Sequence, residues 1–203
     1  MPALLQRTLL LAIFSSLSAM ASAAELYKVE MLVFANESGI GINDEYWPEI
    51  TPVDVSGAVF LRDWDGYPLQ PFEALPENDL RLSADANRLA RHSDYRVLYH
   101  RGWLQPIGGK QSARAVRIKA SRQGYELDGT ITLYRNRFLH AYPTLQLSTL
   151  GPPSPPLPEA AEGSEYRPTA WLLQEARRMR SNEIHYIDHP RLGVLLIVRA
   201  VAN

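Results

Sequence analysis

The stretch Tyr125-Glu126-Leu127-Asp128-Gly129-Thr130-Ile131-Thr132-Leu133-Tyr134-Arg135-Asn136-Arg137-Phe138-Leu139-His140-Ala141-Tyr142-Pro143-Thr144-Leu145-Gln146-Leu147 decides the fold. Apolar and polar residues alternate through it on both sides of a basic turn, the period of a half-buried strand. It reads as two strands, 125–134 and 138–147, joined by the loop Arg135-Asn136-Arg137. With that three-residue loop Leu133 faces Leu139 and Ile131 faces Ala141, which gathers one consistent apolar face. A two-residue loop would set His140 against Leu133 and mix the faces. The opposite face then carries Thr130, Thr132, Tyr134, Phe138, His140 and Tyr142.

Working outward, residues 27–35 open with Tyr27, Val29, Met31 and Val33 opposite Lys28 and Glu30, then Leu32 and Phe34 turn apolar too. That is a strand half-covered at its start and buried on both faces at its end. Over 36–80 the periodicity vanishes, and Pro48, Pro52, Pro68, Pro71 and Pro76 alternate with Gly, Asp and the aromatics Trp47, Trp64 and Tyr67. So long a connection is uncommon in a compact domain. Its tryptophans argue for an ordered excursion packed on the sheet, with a short strand at 58–61. Ser83 is a good N-cap for a helix over 84–93, with Ala86, Leu89 and Ala90 on one face. Tyr95, Val97, Tyr99 and Trp103 alternate in the next strand, which ends at Pro106 and Gly108-Gly109, and a further strand spans 113–120. Five prolines in 151–158 mark a polyproline-like linker that runs to residue 163. Residues 171–179 stay ambiguous between a helix and a continuation of the sheet. Residues 183–187 and 194–201 form a C-terminal hairpin around a turn with Asp188, Pro190 and Gly193. The order predicts one α+β domain, 24–203, with one main helix packed on one face of an antiparallel sheet and a long N-terminal excursion loop.

Residues 1–23 read as a cleaved signal peptide: Arg7, an apolar run over 8–17, then small residues with Ala21 and Ala23 in an A-x-A pattern. Cleavage is expected after Ala23, with Ala24 as the alternative. The run is about ten residues, half of what a spanning helix needs, and a buried N-terminal helix is the competing reading. The chain has no Cys, which excludes thiol catalysis, Cys-ligated zinc, disulfides and lipidation at a mature N-terminal Cys. A net charge of −1 gives no electrostatic reason for nucleic acid or anionic lipid. A soluble periplasmic protein of a Gram-negative bacterium, with no membrane anchor, is expected.

No reaction centre stands out. Gly39-Ile40-Gly41 and Gly108-Gly109 lack the spacing of a phosphate loop, and G-x-S-x-G and H-E-x-x-H are both missing. No cofactor is expected. The best metal candidate is His185, Asp188 and His189, with His140 as a distant third imidazole, and a metal-dependent envelope hydrolase or metalloprotein built on them is the alternative function. A strand would put His185 across the sheet from Asp188, which weighs against it. Paired carboxylates could come from Glu30, Asp128 and Glu183, though each reads more simply as a solvent-facing strand residue. The run Arg177, Arg178, Arg180 is a solvated face or a dock for an acidic partner. The aromatic and polar face of Tyr134, Phe138, His140 and Tyr142 suits sugars, peptides or proteins, unless the long loop or the C-terminal hairpin covers it.

Several blocks carry a resemblance: Tyr27-Lys28-Val29-Glu30-Met31-Leu32-Val33-Phe34; Tyr95-Arg96-Val97-Leu98-Tyr99-His100-Arg101-Gly102-Trp103-Leu104-Gln105-Pro106; Leu127-Asp128-Gly129-Thr130-Ile131-Thr132-Leu133-Tyr134; and Glu183-Ile184-His185-Tyr186-Ile187-Asp188-His189-Pro190-Arg191-Leu192-Gly193-Val194. Together they resemble the CsiV family of periplasmic proteins over nearly the whole mature chain. Leu192 stands where an aromatic is common and Gly102 where Ala is. The resemblance implies a non-enzymatic factor of cell shape and cell wall biogenesis. It would bind peptidoglycan, an outer-membrane lipoprotein activator of a bifunctional, class A penicillin-binding protein, or both. It implies no catalytic residues. The residues expected to meet the partner or glycan are Trp103, Tyr134, Phe138, His140 and Tyr142, with His185, Tyr186, Asp188 and His189 from the C-terminal hairpin. A purely structural subunit with an obligate aromatic interface is the third reading.

Overall fold

The computed structural model describes residues 24–38, 51–150 and 170–201. The segments expected to be a signal peptide (1–23) and a linker (151–163), and Trp47, lie outside the described residues.

The strands are β1 (Glu25–Asn36), β2 (Tyr95–Ile107), β3 (Ala115–Arg122), β4 (Tyr125–Arg135), β5 (Leu139–Thr149), β6 (Ala170–Gln174), β7 (Arg177–Met179), β8 (Ile184–His189) and β9 (Leu192–Ala200). The helix among the described residues is α1 (Ser83–Arg91). The expected single sheet is two antiparallel sheets. Sheet A has the order β2-β1-β9-β8, and sheet B the order β3-β4-β5-β6 with β7 also on β5. Alternation along each strand turns one face of each sheet inward. Val29, Met31 and Val33 of β1, Val194 and Leu196 of β9, and Ile131, Leu145 and Leu147 of sheet B share one buried cluster.

The ambiguous 171–179 is strand, broken at Glu175-Ala176, because Trp171, Leu173 and Met179 complete the core side of sheet B. The β4–β5 hairpin keeps the expected faces but not the expected register. Leu133 pairs with Ala141 and Arg135 with Leu139, so the three-residue loop is 136–138 and Phe138 sits in the turn. Arg135 extends β4 because its guanidinium reaches Glu25 at 2.5 Å and its amide donates to the Gly108 carbonyl.

The excursion closes one side of the sandwich. It adds an isolated bridge, Val59 with Val116 on β3, where a short strand was expected. Further on, Phe72 and Leu75 donate to the carbonyls of Leu104 and Gly102 on β2. One edge of each sheet, β3 and β2, is thereby partly paired by one segment, which satisfies some of their otherwise unpaired backbone groups.

Helix α1 lies on the outer face of sheet A, where Leu82, Ala86 and Leu89 cover Leu32, Val97 and Ile197. Ser83 is the first helical residue and makes no cap, contrary to expectation. The cap comes from β1 instead: the Glu30 carboxylate accepts from the amides of Arg81 (2.7 Å) and Leu82 (2.8 Å). Glu30, expected to face solvent, is fully buried. The C-terminal hairpin turns on Pro190 and Arg191 alone, since His189 pairs with Leu192. Gly193 is inside β9, where the Phe34 ring lies 2.3 Å from where a Cβ would stand.

Candidate functional site

The outer face of sheet B is built by register. Tyr134 on β4 pairs with His140 on β5, and His140 pairs with Arg178 on β7, which lines up one row across three strands. The Tyr134 and His140 rings stack at 4.9 Å with 7° between their planes. Lys110 lies over the free side of the row, 5.8 Å from the Tyr134 centroid. Arg178 lies 4.6 Å and Arg137 5.4 Å from the Phe138 centroid. Tyr142 occupies the next row, opposite Thr132.

Towards β3 this face is closed, as Thr130 and the Arg117 side chain are buried and Arg117 pairs with Asp128. Towards the hairpin it is open to solvent among the described residues, with Phe138 43% and Tyr142 37% exposed. Lys110, Arg137 and Arg178 form no ion pair with a carboxylate among the described residues. The result is an aromatic platform with a cationic margin. Aromatic faces receive apolar faces of rings, and guanidinium forks receive carboxylates.

The other expected site residues lie elsewhere. Trp103 is in the core between the sheets, with its indole N–H donated to Gln105 Oε1 at 2.7 Å, and no surface ligand reaches it. Alternation along β8 sends Tyr186 and Asp188 to the outer face of sheet A and His185 and His189 to its inner margin. The Tyr186 hydroxyl donates to Asp188 at 2.5 Å, and burial with that acceptor raises its pKa. The Tyr186 ring stacks on Phe34 at 6.3 Å. His185 Nε2 accepts from the Arg180 amide at 3.0 Å, and His189 Nδ1 from the Arg191 amide at 3.1 Å. His185, Asp188 and His189 therefore do not converge, and no group of three His, Asp or Glu suited to a metal occurs among the described residues.

The candidate carboxylates are likewise apart. Asp128 is paired on sheet B, Glu183 lies 3.6 Å from Arg180 in the turn before β8, and Glu30 is under α1. Burial alone would raise the Glu30 pKa. The hydrogen bonds from His100 Nε2 at 2.9 Å and from the two amides outweigh that and hold it below the ordinary value. Glu30 with His100 is the buried pair that alternation in the sequence concealed, because what covers it comes from residues 81 and 82. Lys110 and Arg178 were also missed as parts of the platform. Arg178 carried a signal as part of a basic run; Lys110 carried none.

The model of CsiV, described as peptidoglycan-binding protein, matches residues 6–201. The chain belongs to the CsiV family. No curated protein and no solved structure matches this CsiV-family chain. No helix among its described residues is long and apolar enough to cross a membrane.

Proposed function

We propose that the protein is a non-enzymatic periplasmic factor that binds peptidoglycan through the open end of the outer face of sheet B and so promotes wall assembly. The observation that carries this reading is the row of half-buried Tyr134 and His140 with exposed Arg178, and exposed Tyr142 and Phe138 beside it, on a member of a peptidoglycan-binding family. Peptidoglycan combines sugar rings with peptides rich in carboxylates. Tyr142 and the stacked Tyr134–His140 pair offer apolar faces and hydrogen-bonding edges to the sugars. Lys110, Arg137 and Arg178 offer charge-assisted hydrogen bonds to the carboxylates.

The outer face of sheet A supports the second half of the role. Ile184 and Tyr186 are exposed there on the edge strand β8, 52% and 46% respectively, and Asp188 adds a charge. We assign this patch to a protein partner, the outer-membrane lipoprotein activator of a class A penicillin-binding protein. Titrating labelled protein with solubilised glycan fragments tests the first assignment. Amide shifts are expected around Tyr134, His140 and Tyr142; shifts confined to β8 and α1 would refute it.

A further inference from the structure

Strand β8 is an outer edge of sheet A, and the direction of its backbone groups follows from the strands behind it. The Asn36 amide donates to the Arg191 carbonyl and the Val201 amide to the Leu26 carbonyl, so the odd-numbered backbone groups of β9 serve β1. The even-numbered ones, on Leu192, Val194 and Leu196, therefore serve their partners on β8, which are His189, Ile187 and His185. That leaves the N–H and C=O groups of Ile184, Tyr186 and Asp188 pointing off the sheet, without a hydrogen-bond partner among the described residues.

Folded proteins blunt such an edge with a lysine, a proline, a bulge or a covering segment. The other edges obey this: the excursion pairs with β2 and β3, and the edge formed by β6 and β7 is broken at Glu175-Ala176 and carries Arg177. Strand β8 does not. It runs Ile184-His185-Tyr186-Ile187-Asp188-His189 in unbroken register with no lysine or proline, and Ile184 and Tyr186 are exposed on one side of it.

We propose that this edge pairs with the same edge of a second copy of the chain, antiparallel about a two-fold axis at Tyr186, joining two four-stranded sheets into one. Outward groups must meet outward groups, so a ladder forms only where even-numbered residues stand opposite even-numbered ones. Centring on Tyr186 sets Ile184 opposite Asp188 of the second copy and engages all three residues of each chain, for about six hydrogen bonds. It sets His185 opposite Ile187 and Glu183 opposite His189, so a carboxylate meets an imidazole and no like charges face. The other registers are poorer. Centring on His185 shortens the ladder and faces that imidazole with itself; centring on Ile187 faces His185 with His189 and sets Ile184 against Pro190, which has no N–H. Centring on Asp188 faces two carboxylates. The pairing uses the edge of β8 and leaves its outer face to the protein partner proposed above, so the two readings fail separately.

Sedimentation velocity of the purified protein from roughly 1 to 300 µM tests the pairing, and a reversible monomer–dimer equilibrium is expected. Ile184→Asp, at an exposed position, sets an acid opposite Asp188 at both ends of the ladder and should weaken association about tenfold or more. Ile184→Lys sets an opposite charge there and should associate at least as tightly as the wild type. The chain has no Cys, so Tyr186→Cys carries one thiol. Two such thiols stand on Cα atoms about 5.5 Å apart across the axis, and a short bismaleimide should link them far faster than it links Ser121→Cys on β3. A monomer at every concentration, association that Ile184→Asp does not weaken or that Ile184→Lys weakens equally, or linking no faster through residue 186 than through residue 121 overturns the proposal.

Discussion

The two sheets share one core but finish their outer faces in opposite ways. Sheet A is covered over β1 and β9, where Leu82 and, from α1, Ala86 and Leu89 lie on Leu32 and Ile197 and Glu30 caps the helix, and it is open along β8 at Ile184 and Tyr186. Sheet B is left open at its hairpin end, where Tyr142 and Phe138 meet solvent beside cations that have no acidic partner among the described residues. Aromatic residues left exposed when a helix could have covered them point to recognition, whereas buried charge under a helix points to structure. Substitutions should separate the two faces, with stability lost on one and binding lost on the other.

The largest effect is expected in the shared core. Trp103→Ala should cost about 3–5 kcal/mol in denaturant unfolding, since a fully buried indole leaves a large cavity. Leu82→Ala, under α1, should cost about 2–4 kcal/mol, with faster amide exchange through the helix than through sheet B. Glu30→Gln should cost about 1–3 kcal/mol at neutral pH, because it weakens a cap and a buried pair together.

Its pH dependence has a definite sign. The folded chain holds the Glu30 proton more weakly than the unfolded chain, so the unfolded state binds more protons in the interval between the two pKa values. The contribution is complete above the ordinary value of 4.5 and is lost as pH falls through the lower, folded value. Urea unfolding at several pH values should show this acid loss in the wild type and a flatter curve in Glu30→Gln. The smallest stability change is expected on the open face: Tyr142→Ala should shift stability by less than about 0.5 kcal/mol. Arg178→Glu should do likewise, yet weaken glycan binding and reduce its dependence on salt.

What was legible in the sequence follows the same division. Alternation placed Leu127, Ile131 and Leu133 on one face and Thr132, Tyr134 and His140 on the other. That survives a register error of two residues, because such a slip preserves parity. The length of the loop did not fix where β4 ends; that depends on Arg135 reaching Glu25 on a different sheet. Glu30 looked solvent-facing since its neighbours alternate, and only a segment fifty residues later buries it. The division into two sheets was hidden because strand count does not say which edges pair. Trp103 was misread as accessible for the same reason, as its side of β2 faces sheet B. Of the expected site, Tyr134, Phe138, His140 and Tyr142 gather on one face as the pattern required, while the β8 residues divide over the two faces of sheet A.

Co-sedimentation with purified sacculi, run on two variants in parallel, tests the central claim most directly. One variant carries Tyr134→Ala, His140→Ala and Tyr142→Ala on sheet B; the other carries Ile184→Ala and Tyr186→Ala on sheet A. With both shown folded by circular dichroism, the first should lose at least about tenfold in the fraction bound and the second should bind like the wild type. Wild-type binding by the first variant, or loss confined to the second, would contradict the account.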